Sequence, residues 1–255
     1  MRSELEDRLR TGDHVKLIPY LMAGFPDHQR FLDAAHRLLE CDIGALEIGI
    51  PFSDPLADGP VIQHAGQVAL EQGMTVARCL ELASRLGAQQ SRASLVVMTY
   101  VNPVLAYGVK RFAADASAAG VTGVIVPDLP VEEAHPVCDE LRRAGLDTIF
   151  LVTPTSTDER IAAATGLSAG FVYCVTVTGI TGVRRELPAS LDGLLRRVRA
   201  RTQLPIAAGF GISRPEHLAA LRGRADAAVV GSALVRELAE GRDPAQLVTE
   251  LQRAA

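Results

Sequence analysis

One glutamate interrupts a strand-like apolar run and is followed by an acidic, proline-rich segment. Glu47 lies within "ALEIGI", and the overlapping "GIPFSDPLADGP" then supplies Asp54 and Asp58. Proline lacks an N–H and fixes φ, so this segment cannot continue a strand. An ionisable group in an apolar strand is costly unless it is used or paired. Two carboxyl groups in one pocket can act as acid and base, and an aspartate of this segment could supply the second group beside Glu47, unless both aspartates only cap or turn the loop. Pairing of Glu47 with a lysine is the alternative, and Asp54 in "SDP" is typical of a turn.

Three glycine-rich segments come later in the chain, namely "TGITG", "GFGIS" and "GSAL". Backbone N–H groups of such turns and of helix N-termini bind anions, and the missing side chains let the anion approach. Each segment alone could be only a tight turn with positive φ. Together they predict a phosphate site. No GxGxxG follows a strand-like run, so a dinucleotide is not predicted.

Eight apolar runs rich in Val and Ile would hold these residues in place. They are "VKLIPYLM", "ALEIGI", "SLVVMTY", "GVIVPD", "TIFLVT", "FVYCVTV", "PIAAGF" and "AAVVGS". Stretches with helical spacing alternate with them, which favours a parallel sheet with right-handed crossovers. Eight units in about 250 residues predict one (β/α)8 barrel domain over residues 1–255. "SELEDRLRTG" predicts an extra N-terminal helix, and the connection between strands two and three is long enough for another.

The carboxyl ends of barrel strands carry the functional residues in proteins of this fold. We therefore expect Glu47, Tyr20 and Tyr173 to lie around one pocket, with Tyr100 either in the same pocket or packed in the core. Asp128, which ends the fourth run in "VPDLP", is expected to have a structural role in its turn.

Composition narrows the possible functions. The 255 residues carry a formal charge of −4, which gives no indication of nucleic acid as a partner. The six histidines have no ligand spacing, so no metal is predicted. The four cysteines form no CxxC pattern and are expected to be free thiols. The charged N-terminus and the short apolar runs predict neither a signal peptide nor a membrane span, hence a cytoplasmic protein.

Six segments together resemble the tryptophan synthase alpha subunit family. They are "LEIGIPFSDPLADGPVIQHA", "YVNPVLAYG", "GVIVPDLPVEEA", "YCVTVTGITG", "GFGIS" and "VVGSALV", and the similarity is collinear over essentially the whole chain. It implies retro-aldol cleavage of indole-3-glycerol phosphate to indole and glyceraldehyde 3-phosphate. It further implies no cofactor or metal, and a beta subunit, in an alpha2beta2 complex, that receives the indole.

The resemblance also implies roles for individual residues. Glu47 would be the acid–base catalyst, and Asp58 would accept the indole N–H. Tyr173 would lie beside Glu47, Thr181 would help to close the site, and Tyr20 stands where many members have Phe. The implied phosphate residues are Gly182, Gly211, Gly231 and Ser232. The loop is expected to offer an exposed surface to the partner through Pro51, Asp54 and Pro55.

Other functions share much of this pattern. A stand-alone indole-3-glycerol-phosphate lyase would have the same residues, so the sequence does not separate it from a partner-dependent subunit. A weakly active regulatory partner of the beta subunit is a second alternative, against which the intact Glu47 and Asp58 count. A phosphosugar isomerase on the same barrel is disfavoured by the "PFSDPLADGP" loop.

Overall fold

The computed structural model describes residues 2–12, 14–87, 93–175, 189–209 and 211–253 of the chain. At its centre lies a sheet of nine parallel strands, in the order β5-β4-β3-β2-β1-β9-β8-β7-β6. The strands are β1 (Lys16–Met22), β2 (Ala45–Gly49), β3 (Ser94–Met98), β4 (Val121–Ile125), β5 (Asp147–Ile149), β6 (Leu151–Val152), β7 (Val172–Val175), β8 (Ile206–Gly209) and β9 (Ala227–Val230).

The sheet forms a nearly closed barrel. Its two outer strands, β5 and β6, are consecutive in the chain and separated only by Phe150. β5 pairs with β4 and β6 pairs with β7, so the two segments together take the place of a single fifth strand. The structure confirms the predicted (β/α)8 barrel.

Helices connect the strands and surround the barrel. They are α1 (Glu4–Leu9), α2 (His28–Glu40), α3 (Pro60–Glu71), α4 (Val76–Gly87), α5 (Val101–Tyr107), α6 (Val109–Ala118), α7 (His135–Arg143), α8 (Asp158–Leu167), α9 (Ala189–Arg199), α10 (Pro215–Ala219), α11 (Ser232–Ala239) and α12 (Pro244–Gln252). The predicted N-terminal helix is α1, and the predicted additional helix after β2 is α3. The short α5 after β3 has no counterpart among the predicted elements. None of the helices in the described ranges is long and apolar enough to cross a membrane.

Strand residues alternate between two cores, because successive side chains point to opposite faces. The outward side chains, such as Leu17, Leu46 and Leu95, pack beneath the helices. The inward side chains fill the barrel, and Leu5 and Leu9 of α1 pack with them. These two leucines close the end of the barrel at which the strands begin. The opposite end, where the strands finish, holds the predicted site.

Candidate active site

Glu47 is the buried acid of the barrel interior. It lies in the middle of β2, in register with Tyr20 of β1 and Val96 of β3. The residue is 1% exposed, and its Oε2 has no hydrogen-bond partner among the described atoms. Burial, and secondarily the nearby charge of Asp58, raises the pKa of Glu47 to about 8. At neutral pH Glu47 is therefore mainly a carboxylic acid that can donate a proton.

Asp58 is the second carboxyl group and lies on the loop between β2 and α3. Its N–H donates to Pro55 O at 3.0 Å, and Gln63 Nε2 donates to Asp58 O at 2.9 Å. Burial raises the pKa of Asp58 to about 6, while a hydrogen bond from Tyr100 lowers it. No cationic side chain of the described residues shifts the pKa of Asp58 or Glu47. At neutral pH Asp58 is mainly ionised and Glu47 mainly neutral, which is the separation that acid–base chemistry needs.

Tyr20 and Tyr173 lie on opposite sides of the same interior space. A Cβ at Gly49 would lie 2.0 Å from the Tyr20 hydroxyl oxygen, and one at Gly209 would lie 2.8 Å from the Tyr173 ring. Glycine at both positions therefore makes room for the two rings. Burial, reinforced by the charges of the two carboxyl groups, raises the pKa of both tyrosines well above its usual range. Both phenols stay neutral, and the Tyr20 hydroxyl contacts Met22 Sδ at 3.9 Å.

Tyr100 contacts the acidic loop from the next strand. β3 ends at Met98, so Tyr100 lies beyond the strand end and is the N-cap of α5. Its hydroxyl accepts the Ala57 N–H at 3.0 Å, and its ring lies 5.4 Å from the ring of Phe52. Asp128 Oδ1 accepts the Val101 N–H at 2.8 Å, in agreement with the structural role predicted for it.

The described part of the expected phosphate site lies on two adjacent strands. Gly211 follows β8 with φ +77°, and among the described residues other than its chain neighbours no atom lies within 4 Å of the position of a Cβ there. Gly231 is the N-cap of α11 and makes no side-chain cap, and Ser232 is the first residue of that helix. The first N–H groups of a helix have no partner within it, so this end can bind an anion. Thr181 and Gly182 lie outside the described residues.

The expected partner surface differs from the prediction in its details. Asp54 is exposed and Pro55 is half-buried, but Pro51 is buried. Pro51 lies 3.9 Å from the position of a Cβ on Gly66, because α3 packs back over the start of the loop. The expectation that Pro51 is exposed was therefore wrong. Leu56 is 94% exposed, although no sequence pattern pointed to it. It borders a cavity of about 390 Å³ together with Phe52, Ala57 and Asn102.

A buried and a half-buried carboxyl group with different pKa values, at the mouth of a (β/α)8 barrel, define an enzyme site for proton transfer. No group of His, Cys, Asp and Glu in the described ranges is arranged to hold a metal. A sequence profile of the tryptophan synthase alpha chain family matches residues 7–255. The chain belongs to this family.

Individual relatives agree over nearly the full length. The chain is 47% identical over 228 residues to the tryptophan synthase alpha chain of Roseiflexus castenholzii, covering 89% of this chain and 87% of that protein. It is 45% identical to that of Solibacter usitatus, over 97% of this chain and 92% of that protein. A mutant alpha subunit from Pyrococcus furiosus superposes with a TM-score of 0.87 at 39% identity, covering 94% and 99% of the two chains. The alpha subunit from Legionella pneumophila superposes with a TM-score of 0.89 at 31% identity, covering 100% of this chain and 98% of that chain.

Proposed function

We propose that this chain cleaves indole-3-glycerol phosphate by a retro-aldol reaction, releasing indole and glyceraldehyde 3-phosphate. Membership of the tryptophan synthase alpha chain family supports the reaction and its place in tryptophan biosynthesis. The observation that carries the proposal is Glu47, a buried acid that holds its proton at neutral pH beside an ionised Asp58. The proposal assigns the two groups different tasks.

Glu47 acts twice in the proposed sequence. As a carboxylic acid it donates its proton to indole C3, which leaves a cation on the indole ring. As a carboxylate it then takes the proton of the glycerol hydroxyl next to the breaking bond. The O–H electrons form the aldehyde, the carbon–carbon bond electrons restore the aromatic indole, and Glu47 ends protonated as it began. General acid–base groups of this kind contribute about 10²–10⁴-fold to the rate.

Asp58 accepts the indole N–H in this proposal. The positive charge that forms on the ring after protonation of C3 lies partly on that nitrogen, so an ionised carboxylate stabilises the transition state more than the substrate. A proton on Asp58 would remove that stabilisation. The pKa of about 6 keeps the group ionised at neutral pH in spite of its burial.

The phosphate of the substrate is proposed to bind at Gly211, Gly231 and Ser232, together with Gly182. The positive φ of Gly211 and the start of α11, which has no side-chain cap, support this assignment. Binding there would hold the indole end against Glu47, because interactions with a remote group can supply orientation at the reacting bond. Tyr20, Tyr173 and Thr181 are proposed to line the remainder of the pocket.

The direct test is incubation with indole-3-glycerol phosphate, measuring indole release, with Glu47→Gln as the matched inactive variant. Addition of a purified beta subunit separates the alternatives. Stimulation supports a partner-dependent subunit, equal rates support a stand-alone lyase, and no cleavage in either case supports a regulatory module.

We expect a chelator to leave the rate unchanged, because proton transfer by Glu47 needs neither metal nor cofactor. A cytoplasmic location stays a prediction.

The beta subunit is proposed to bind the loop around Asp54 and Pro55, in an alpha2beta2 complex. Leu56 supports this surface because it is exposed beside Phe52 and Ala57, with which it lines a cavity of about 390 Å³, so that the apolar side chains form a patch and not a single exposed leucine. Asp54→Ala should reduce stimulation by the partner more than it reduces basal cleavage. Asp139→Ala, on α7, is the matched control. Equal stimulation of both variants would place the interface elsewhere.

A further inference from the structure

We propose that Tyr100 is a positioning residue whose hydroxyl holds the Asp58 carboxylate, and the loop that carries it, in the orientation that receives the substrate. The inference rests on the role proposed for Asp58. It adds a task for a side chain that the sequence analysis placed only in the pocket wall or in the core.

The Tyr100 hydroxyl interacts with two neighbouring residues of one loop. It accepts the Ala57 N–H at 3.0 Å, and it lies close enough to the Asp58 side chain to lower the pKa of that carboxyl group as a donor. A phenol has one O–H donor and two lone pairs, so it can donate to the carboxylate while it accepts the N–H. The same oxygen therefore fixes the backbone before Asp58 and the carboxylate of Asp58.

Tyr100 is in turn held by the barrel. The N–H of Thr99, directly before it, donates to Ile125 O of β4 at 3.0 Å. The N–H of Val101, directly after it, donates to Asp128 at 2.8 Å. Tyr100 is 3% exposed, and its ring packs at 5.4 Å from Phe52. A side chain fixed at both backbone neighbours can transfer the rigidity of β3 and β4 to the loop after β2.

Four ionisable groups surround Asp58 in the described residues: Glu47 on β2, Tyr20 on β1, Tyr173 on β7 and Tyr100 at the start of α5. Burial raises the pKa of Asp58, and the Tyr100 hydrogen bond is the contribution that lowers it. A donor to the charged form favours ionisation. Without that hydroxyl, the pKa of Asp58 should rise further and a smaller fraction of Asp58 would be ionised at neutral pH.

Tyr100→Phe is the test, because it removes the hydroxyl and keeps the ring that packs on Phe52. Tyr107→Phe is the matched control: its hydroxyl donates to Asp115 at 2.7 Å, outside the pocket. We expect Tyr100→Phe to lower kcat about 10- to 100-fold at neutral pH, as for loss of a hydrogen bond to a charged group, with KM changed less than about threefold. The acidic limb of the kcat/KM profile should move to higher pH, and Tyr107→Phe should leave that limb in place.

A double-mutant cycle with Asp58→Asn separates this inference from the function it rests on. In the Asp58→Asn background, Tyr100→Phe should cost less than about threefold, because the carboxylate that it orients is gone. Independent effects of the two changes, or a loss without movement of the acidic limb, would overturn the positioning role. So would a fall in thermal stability far beyond that of Tyr107→Phe, which would make Tyr100 a packing residue. Full activity of Asp58→Asn would instead refute the task of Asp58 itself.

Discussion

The two ends of the barrel differ in the cationic partners of their carboxyl groups. Where the strands finish, Glu47 and Asp58 have no cationic partner in the described residues, and both pKa values are raised. Where the strands begin, two carboxylates have cationic partners, since Lys16 donates to both oxygens of Asp42 at 2.9 Å and Arg199 contacts Asp226. Asp147 is the exception at this end, with a pKa raised by burial. A cationic partner offsets part of the cost of burying a carboxylate, whereas an unpaired buried acid costs stability. The difference agrees with the general division of a (β/α)8 barrel into a catalytic and a stabilising end.

The size of a cavity does not locate the chemistry in this molecule. A cavity of about 810 Å³ lies at the end where the strands begin, and its lining includes Arg10, Arg196, Arg199, Arg222 and Arg224. The helices α1, α9 and α10 all end close to these residues. The carbonyl ends of helices carry partial negative charge and attract cations. The arginines are therefore explained by the helix ends and the nearby aspartates, without a ligand.

The largest expected effect is a loss of activity, which a change at the catalytic end should cause and a matched change at the other end should not. Glu47→Gln should lower kcat about 10³- to 10⁴-fold, because an amide can neither donate the proton nor act as base. Asp147→Asn is the matched control at the other end, since burial also raises the pKa of Asp147 and its Oδ2 likewise has no hydrogen-bond partner in the described residues. That variant should keep activity within about threefold, as it lies away from the reacting atoms. Indole release from indole-3-glycerol phosphate measures both. Retention of a tenth of the activity by Glu47→Gln would contradict the assignment.

Much of this contrast could be predicted from the sequence. The alternation of side chains along a strand places Glu47 inside the barrel. Because functional residues of (β/α)8 barrels lie at the carboxyl ends of the strands, Gly211 and Gly231 are expected at the same end of the barrel as Glu47. Both predictions depend only on local sequence patterns. The Tyr100 contact could not be predicted, since Ala57 and Tyr100 are 43 residues apart and Tyr100 is the N-cap of α5, a helix that the sequence did not indicate. Burial of Pro51 likewise depends on how α3 packs, and turn-forming residues alone do not specify that packing.

The next effect concerns the stability cost of the unpaired acid. The pKa of Glu47 is about 8 in the folded chain and lower in the unfolded chain. The unfolded state therefore loses the proton first, so Glu47 increasingly destabilises the fold as pH rises from about 4.3 to 8. Glu47→Gln should raise the free energy of unfolding by on the order of 4–5 kcal/mol at about pH 8, and by little near pH 4. Urea unfolding at both values measures it, and a gain independent of pH would contradict the explanation.

A smaller effect concerns anion binding at the catalytic end. Gly231→Asp should weaken the binding of glyceraldehyde 3-phosphate and of inorganic phosphate at least about tenfold, because a carboxylate would face the phosphate at the start of α11. The control is Gly231→Asn, which has nearly the same shape and no charge. A Cβ at this position would lie 3.6 Å from the nearest atom, a Tyr20 carbon, so either side chain can be accommodated. Calorimetric titration gives the affinities. Equal weakening by Asp and Asn would show that charge is not the cause.

The smallest effect should appear at the stabilising end and leave the chemistry unchanged. Asp226 Oδ2 accepts the Ile206 N–H at 2.7 Å and also contacts Arg199, so it joins the start of β8 to α9. Asp226→Ala leaves the N–H of fully buried Ile206 without its acceptor. The free energy of unfolding should fall by about 1–2 kcal/mol, as for other buried donors that lose a partner. Asp139→Ala, whose contact with Arg142 at 3.8 Å is exposed, is the control and should change stability by less than about 0.5 kcal/mol. Where both variants are folded, kcat should match the parent. A loss of kcat in Asp226→Ala without a loss of stability would mean that the two ends do not divide stability from catalysis.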